Sequence, residues 1–259
     1  MKFNKIKYTI ISVLSVSFVI FGWWMITDIL KLFPSSMLPS PIRIVKTFIV
    51  KLYDTAPDGA TMIQHMGSSL KVALTGYGLG ILIGVPLGIL MAWFKPVDLF
   101  VRPVFDLLRP VPGIAWIPLM IMLFGIGIMS KAMVIFLSAF IACVVNSYSG
   151  VRQTKDVHLW VGKTFGASNL QLLVKIAIPT SLPFVMTGLR VSLGAAWSAL
   201  VAAELLASTR GLGFMIQQSR GLYRPDVIIA GMIAIGIIGA ILTSLIGMLE
   251  KAVLKGEKW

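Results

Sequence analysis

The sequence predicts an all-α membrane protein with six transmembrane helices, and three observations carry that prediction. Hydrophobic residues make up 57% of the 259-residue chain and charged residues 13%, and the mean hydropathy is +0.91. A soluble domain of this length has no interior large enough to hide so much apolar surface, so its solvent is lipid. The apolar residues also arrive in runs of about 20, the length a helix needs to cross a hydrocarbon core. The net charge of +13 comes from Lys and Arg that flank these runs and do not cluster with aromatics. That is membrane anchoring, and it argues against nucleic acid as a partner.

The first run, Tyr8–Ile26, follows Lys2, Lys5 and Lys7. It is longer than the roughly 7–15 residues of a signal-peptide core, and it closes on Trp23, Trp24 and Met25 without a small-x-small cleavage site. Residues 1–27 are therefore expected to be an uncleaved first transmembrane helix. Residues 28–71 form an external loop with an amphipathic helix. Ser40-Pro41 starts it, and Ile42, Ile44, Val45, Phe48, Ile49 and Leu52 make its apolar stripe. That stripe lies either along the membrane surface or against other helices. The remaining runs, Val72–Phe94, Val104–Phe124, Met133–Tyr148, Leu182–Leu206 and Val227–Val253, give a five-helix core over residues 72–253, with a tail at 254–259. Pro110 and Pro112 interrupt the third span and predict a kink or a short re-entrant turn. With the N-terminus inside, fourteen of the 23 Lys and Arg fall in inner segments and nine in outer ones. The bias places both termini in the cytoplasm.

The longest inner segment, residues 150–181, departs most from plain membrane sequence. Its stretch "TFGASNLQLLVKIAIP", Thr164–Pro179, carries Ser168, Asn169, Gln171 and Lys175 between two greasy runs. It reads as two short helices, Asp156–Phe165 and Asn169–Ile178. Gly166 lies between them and permits a sharp change of direction, because glycine takes backbone angles closed to other residues. Ser168 or Asn169 caps the second helix; Pro179 and Pro183 end it and open the next span. Phe165, Leu172, Leu173 and Ile176 recur at helical spacing and form one apolar face. On physics alone this elbow either lies among lipid headgroups or docks into a groove of a cytoplasmic partner.

Gly166, nine residues, Ile176, one residue, Ile178 and Pro179 give G-x9-I-x-I-P. This resembles the cytoplasmic loop signature of permease subunits of ATP-binding-cassette (ABC) importers, usually E-A-A-x3-G-x9-I-x-L-P. "SSLKVALTGYGLGILIGVPLGILMA" (Ser68–Ala92), "RPVPGIAWIPLMIMLFGIGIMSK" (Arg109–Lys131) and "LPFVMTGLRVSLGAAWSALVAAELL" (Leu182–Leu206) are similar, in the same order, to the sulfonate, taurine and nitrate permease branch. The resemblance implies a MetI-like type I ABC importer permease whose loop is a coupling helix. Carried over, Lys163, Thr164, Phe165, Gly166, Ala167, Ser168 and Asn169 contact a separate ATPase, and Ile176 and Pro179 complete the signature. The E-A-A positions are Trp160, Val161 and Gly162 here, so no salt bridge from position 160 is available and contact would rest on backbone shape and apolar packing. The resemblance further implies two copies of this chain around one path and two ATPase copies that carry the ATP and Mg. It also implies a periplasmic or lipoprotein solute-binding protein on the outer face, including Gly211–Arg224, and a bacterial inner-membrane location. The expected cargo is a small anion such as a sulfonate, taurine or nitrate; the branch also carries pyrimidine precursors and aromatic acids.

The chain's own chemistry is sparse. It has no G-x4-G-K-[ST] phosphate loop, no metal-ligand spacing and no catalytic triad, so no enzyme activity or cofactor of its own is expected. Its lone cysteine, Cys143, excludes an internal disulfide, and His65 and His158 read as surface or packing residues. Gly76, Gly78, Gly80, Gly84 and Gly88 suit either close helix packing or helices that slide during transport. Glu204 is the one acid well inside a predicted span, where a charge is costly unless paired or watered. It is either a structural partner of a basic or hydroxyl neighbour, or part of the translocation path or its gate. Arg109, beside the Pro110 kink, is either an inner-end anchor or a charge facing an anion. Ser192, Trp197 and Ser198 share the span of Glu204 and are expected to line the cavity. An ion-coupled transporter would need coupling sites that one lone acid does not supply, and a membrane enzyme would need a catalytic cluster.

Overall fold

The computed structural model describes residues 2–254, and each secondary-structure element in them is helical. Of the tail expected over residues 254–259, Leu254 ends the last helix and the rest lies outside the described residues. Five helices are long and apolar enough to cross a membrane, and a bent pair makes six if it counts as one span.

The first span is α1 (Lys2–Trp24), which runs on through one wide turn, Met25–Ile29. Over Ile10–Ile29 no residue of its most apolar window is buried by the rest of the chain. Then comes α2 (Pro41–Lys51), capped by the Ser40 hydroxyl, which accepts from the Arg43 N–H. Its apolar stripe turns out to be two stripes. Ile44 is buried, and Phe48 and Leu52 pack beside it on Met62, Leu212, Met215 and Val227. Ile42, Val45 and Ile49 face outward.

The second span, α3 (Met62–Trp93), starts ten residues before the predicted Val72. Gln64, His65, Ser69 and Lys71 depress hydropathy there, but Thr61 and Gln64 form a reciprocal capping box that starts the helix earlier. It packs lengthwise on α6 (Ile128–Arg152), and with α9 (Ile178–Leu206) the pair forms the centre of the bundle. Val72 and Tyr77, Ile135 and Ala139, and Leu193 and Leu200 meet there. Gly76, Gly80, Gly84 and Gly88 are all buried on the side of α3 that faces α6. A Cβ built on any of them would come within 2.5–2.9 Å of an α6 atom, whereas Gly78 faces open space. The regular four-residue step is thus a packing ridge.

The third span is broken. The helix α4 (Lys95–Leu108) ends at Pro110, a short 3-10 turn covers Gly113–Trp116, and α5 (Ile117–Phe124) leaves at 84° to it. The run Val104–Phe124 is therefore two segments, broken where Pro110 and Pro112 predicted a kink or a re-entrant turn. Pro110 and Pro112 each lack the N–H needed to continue a helix.

Past α6, α7 (Asp156–Thr164) stands alone as expected. The second short helix does not. Asn169–Leu172 (α8), a wide turn at Leu173–Ala177 and α9 form one 38-residue rod, Asn169–Leu206, that runs through Pro179 and Pro183. The wide turn explains why Pro179 does not end it. There the Ile178 N–H reaches back five residues to Leu173, which relaxes the turn that a proline ring would otherwise crowd. The Thr180 hydroxyl donates to Ile176 O at 2.8 Å and the Ser181 hydroxyl to Ile178 O at 2.8 Å, which adds partners for carbonyls beside the prolines. At about 1.5 Å per residue the rod is about 57 Å long, well beyond the ~30 Å hydrocarbon core. The chain finishes with α10 (Leu212–Gly221) and α11 (Pro225–Leu254).

Candidate functional site

Two groups of residues, at opposite ends of the α9 rod, carry chemistry that packing alone does not explain. At the Asn169 end, α7 stops in a Schellman turn. Gly166 has φ +78, its N–H donates to Lys163 O at 2.9 Å, and the Ala167 N–H donates to Gly162 O at 3.0 Å. Ser168 then starts the rod; its hydroxyl accepts from the Gln171 N–H, and Gln171 Oε1 accepts from the Ser168 N–H at 2.8 Å. Of the two caps expected, Ser168 is the one used. Leu172 and Leu173 are buried and Ile176 is half-buried, while Phe165 is 87% exposed. Phe165 therefore leaves the apolar face it was expected to share, because the left-handed Gly166 reverses the chain between them. Lys163, Thr164 and Asn169 are exposed beside it, Ala167 and Pro179 are half-buried, and Trp160 and Val161 extend the exposed surface. Gly162 supports the turn in a way the sequence reading missed: a Cβ there would lie 2.5 Å from Leu172 Cδ2 and 2.9 Å from Ile176 Cδ1.

At the Leu206 end a buried polar network joins four elements. Glu204 is 1% exposed. The Ser69 hydroxyl donates to its two oxygens at 2.8 and 2.9 Å, and the Gly213 N–H donates to Oε2 at 2.9 Å. Ser69 in turn accepts from the Leu212 N–H at 2.9 Å. A carboxylate from α9 and a hydroxyl from α3 thus cap the first turn of α10. Gly211, at φ +135, passes so close that a Cβ would overlap the Glu204 carboxylate. Its N–H donates to His65 Nδ1 at 3.1 Å, and His65 Nε2 lies 3.3 Å from Asp58 Oδ2. Asp58 pairs with Lys51 at 2.6 Å, and Lys51 Nζ also donates to Ala56 O and Ala60 O at 2.8 Å. Nearby, Lys131 Nζ donates to Ser208 Oγ at 2.7 Å.

Glu204 therefore has the hydroxyl partner that one of its two readings required. His65 is a buried packing residue with a specific bond. Lys51, Asp58, Ser69 and Lys131 were not singled out from the sequence. The partners of Ser69 and Lys131 lie up to 143 and 77 positions away in sequence, and only the fold brings them together. An apolar substitution should expose the cost. Glu204→Ala strands the Ser69 hydroxyl and the Gly213 N–H in the interior at about 1–3 kcal/mol per group. The melting temperature of the purified chain is expected to drop by several degrees, measured by tryptophan fluorescence in detergent; an unchanged melting point would contradict the capping role.

The other predicted path residues scatter. Ser192 is buried, donating to Leu189 O at 3.0 Å beside Cys143. Trp197 packs in both central apolar clusters. Arg109 caps α4 at the broken span and is exposed. Ser198 is exposed on α9 together with Thr187, Val191, Gly194 and Ala195. That face is exposed yet small and mostly polar or neutral, unlike the exposed Ile, Val and Phe of α1. Among the described residues no group of three or more His, Cys, Asp or Glu is arranged to hold a metal ion.

A family model described as binding-protein-dependent transport system inner membrane component matches residues 84–256. The taurine transport system permease protein of Escherichia coli (strain K12) is 37% identical over 220 residues, covering 85% of this chain and 80% of that one. The nitrate import permease protein of Synechocystis sp. is 32% identical over 228 residues, covering 86% and 82%. In three dimensions the chain is similar to one from inward-facing conformations of the MetNI methionine ABC transporter. The TM-score is 0.65 at 17% identity, over 74% of this chain and 95% of that one.

Proposed function

The chain belongs to the binding-protein-dependent transport system inner membrane components, and from that premise we propose its cargo, its path and its moving parts. It is the transmembrane permease subunit of an ATP-driven ABC importer with a MetI-like type I fold; it is not an enzyme, and ATP hydrolysis falls to a separate ATPase chain.

The cargo is a small anion of the sulfonate, taurine or nitrate kind, a reading supported by relatives named for taurine and nitrate. The single observation that carries the mechanism is the continuity of the Asn169–Leu206 rod, which begins three residues after the Gly166 turn. The elbow presents Phe165, Lys163 and Asn169 to an ATPase that holds ATP and Mg. Apolar Phe165, with Trp160 and Val161 beside it, substitutes for the missing acidic contact. With both termini cytoplasmic, the opposite end of the rod meets the solute-binding protein through the Gly211–Arg224 region. Two copies of the chain enclose the path. The exposed stripe of Thr187, Val191, Gly194, Ala195 and Ser198 lines it, since its two hydroxyls and small side chains suit a water-filled path better than the bulky apolar flank of α1 does. When two ATPases close on ATP, the elbows move, and each rod carries that movement to its outer end. Glu204 contributes there by fixing the rod to α10, and Arg109 anchors the broken third span at its inner end.

The decisive experiment is taurine or nitrate uptake into proteoliposomes holding this chain, its ATPase and its binding protein. Uptake is expected to stop when the ATPase cannot hydrolyse ATP; continued accumulation would refute primary transport. The path has its own check. Ser198→Cys is expected to react with a water-soluble thiol reagent and to lose transport when modified, while Val16→Cys on α1 does neither. Equal labelling of the two would remove the stripe from the path.

A further inference from the structure

We propose that the junction of α1 and α2 is a binding site for an anionic glycerophospholipid. Two cavities meet there and share Ile42 as a common wall. The first, of about 500 Å³, is lined by Ser17, Ile20, Phe21 and Trp24 of α1 and by Pro41 and Ile42 of α2. It is apolar apart from one hydroxyl, and the Phe21 and Trp24 rings stand 5.8 Å apart along it. The second, of about 380 Å³, has Thr27, Asp28, Ser35, Arg43 and Lys46 in its lining. Two cations against one carboxylate leave it net positive. Arg43 comes no closer than 3.9 Å to the Asp226 carboxylate, which already takes a two-pronged bond from Arg224 and the Thr47 hydroxyl. Its donors, like the exposed Lys46 ammonium, are therefore available to an anion.

An apolar slot that opens into a basic pocket matches a molecule with an acyl tail attached to a phosphodiester. The setting agrees. The α1 flank is bare along its span, so the slot faces lipid. The exposed Ile42, Val45 and Ile49 stripe prolongs its wall. Trp24 marks the level where indoles sit at the headgroup boundary. Charge also decides between occupants. A second copy of the chain related by a two-fold axis would bring the same positive pocket against this one, whereas a phosphodiester complements it. Bound there, the lipid ties the sparsely packed first span to α2, and through buried Ile44 to the core.

The test is lipid retention by the purified chain in native mass spectrometry, titrated separately with phosphatidylglycerol and phosphatidylcholine of identical acyl chains. Phosphatidylglycerol is expected to be retained about tenfold better, the scale set by two juxtamembrane cations. Arg43→Gln with Lys46→Gln is expected to erase that preference, and Asp28→Asn to increase it. Lys46→Glu alone, a change at an exposed position, should invert the trend if the double variant does not fold. Equal retention of both lipids, or undiminished preference in the variants, would overturn the proposal. Displacement of phosphatidylglycerol by millimolar inorganic phosphate would assign the pocket to a free anion, and a disulfide dimer formed through Ile42→Cys would assign it to a second copy; either result overturns the lipid reading.

Discussion

Gly88→Leu, and separately Gly76→Leu, should abolish recovery of folded chain from membranes, while Gly78→Ala should leave the yield unchanged. At Gly88 a Cβ would lie 2.5 Å from Val144 O and 2.9 Å from Ser147 Cβ; at Gly76 it would lie 2.5 Å from Ala132 O and 2.7 Å from Ile135 Cβ. The obstacle in each case is backbone, which no rotamer change can move. The α3–α6 contact would have to open along its length, detaching the pair from Leu193, Ala196 and Leu200 of α9. Ordinary overpacking costs ~1–3 kcal/mol when side chains give way. A collision with the main chain exceeds that and competes with a total stability of about 5–15 kcal/mol. In lipid there is little hydrophobic drive to hold helices together once close contact is lost. Monodisperse recovery on gel filtration after detergent extraction measures the effect. Normal recovery of both leucine variants would mean that the ridge is not what joins the two helices.

Gly166→Pro should uncouple transport while sparing the spans. Proline holds φ near −65° and has no N–H. The elbow requires φ +78 at residue 166 and an N–H that donates to Lys163 O. An L-residue forced into the left-handed region already costs roughly 1–2 kcal/mol, and proline cannot enter it. The Schellman turn opens and Phe165 loses its position. Gly166 itself has nothing within 4 Å of a built Cβ, so the lesion stays at the turn. The expected outcome is chain yield close to wild type, with ATPase co-purification and coupled uptake reduced by at least about tenfold, equivalent to ~1.4 kcal/mol of lost docking. Phe165→Ala should give a smaller loss with the turn intact. Full ATPase retention in Gly166→Pro would mean that docking lies elsewhere on the chain.

The elbow was largely legible from the residues because its signals are local. A glycine at a reversal and a serine at a helix start each act on neighbours within a few residues. The continuous rod was not legible. Pro179 is a strong stop signal, and only the wide turn at Leu173–Ala177 cancels it. The early start of α3 was hidden for a similar reason: His65 and Ser69 look unsuited to a span until Gly211 and Glu204 supply their partners.

Composition and periodicity by themselves determined that this chain is helical, resides in lipid and turns sharply at Gly166 on one side of the membrane plane. These are properties of transfer free energy and of single backbone angles, which depend on nearest neighbours. Tertiary structure alone decided that Phe165 faces outward while Leu172 and Leu173 are buried, that the glycine ridge serves α6, and that Glu204 caps α10 through Ser69. Those facts depend on the approach of segments as much as 135 positions apart, where the partner of a buried charge is fixed by how helices cross and cannot be read from the residues around it.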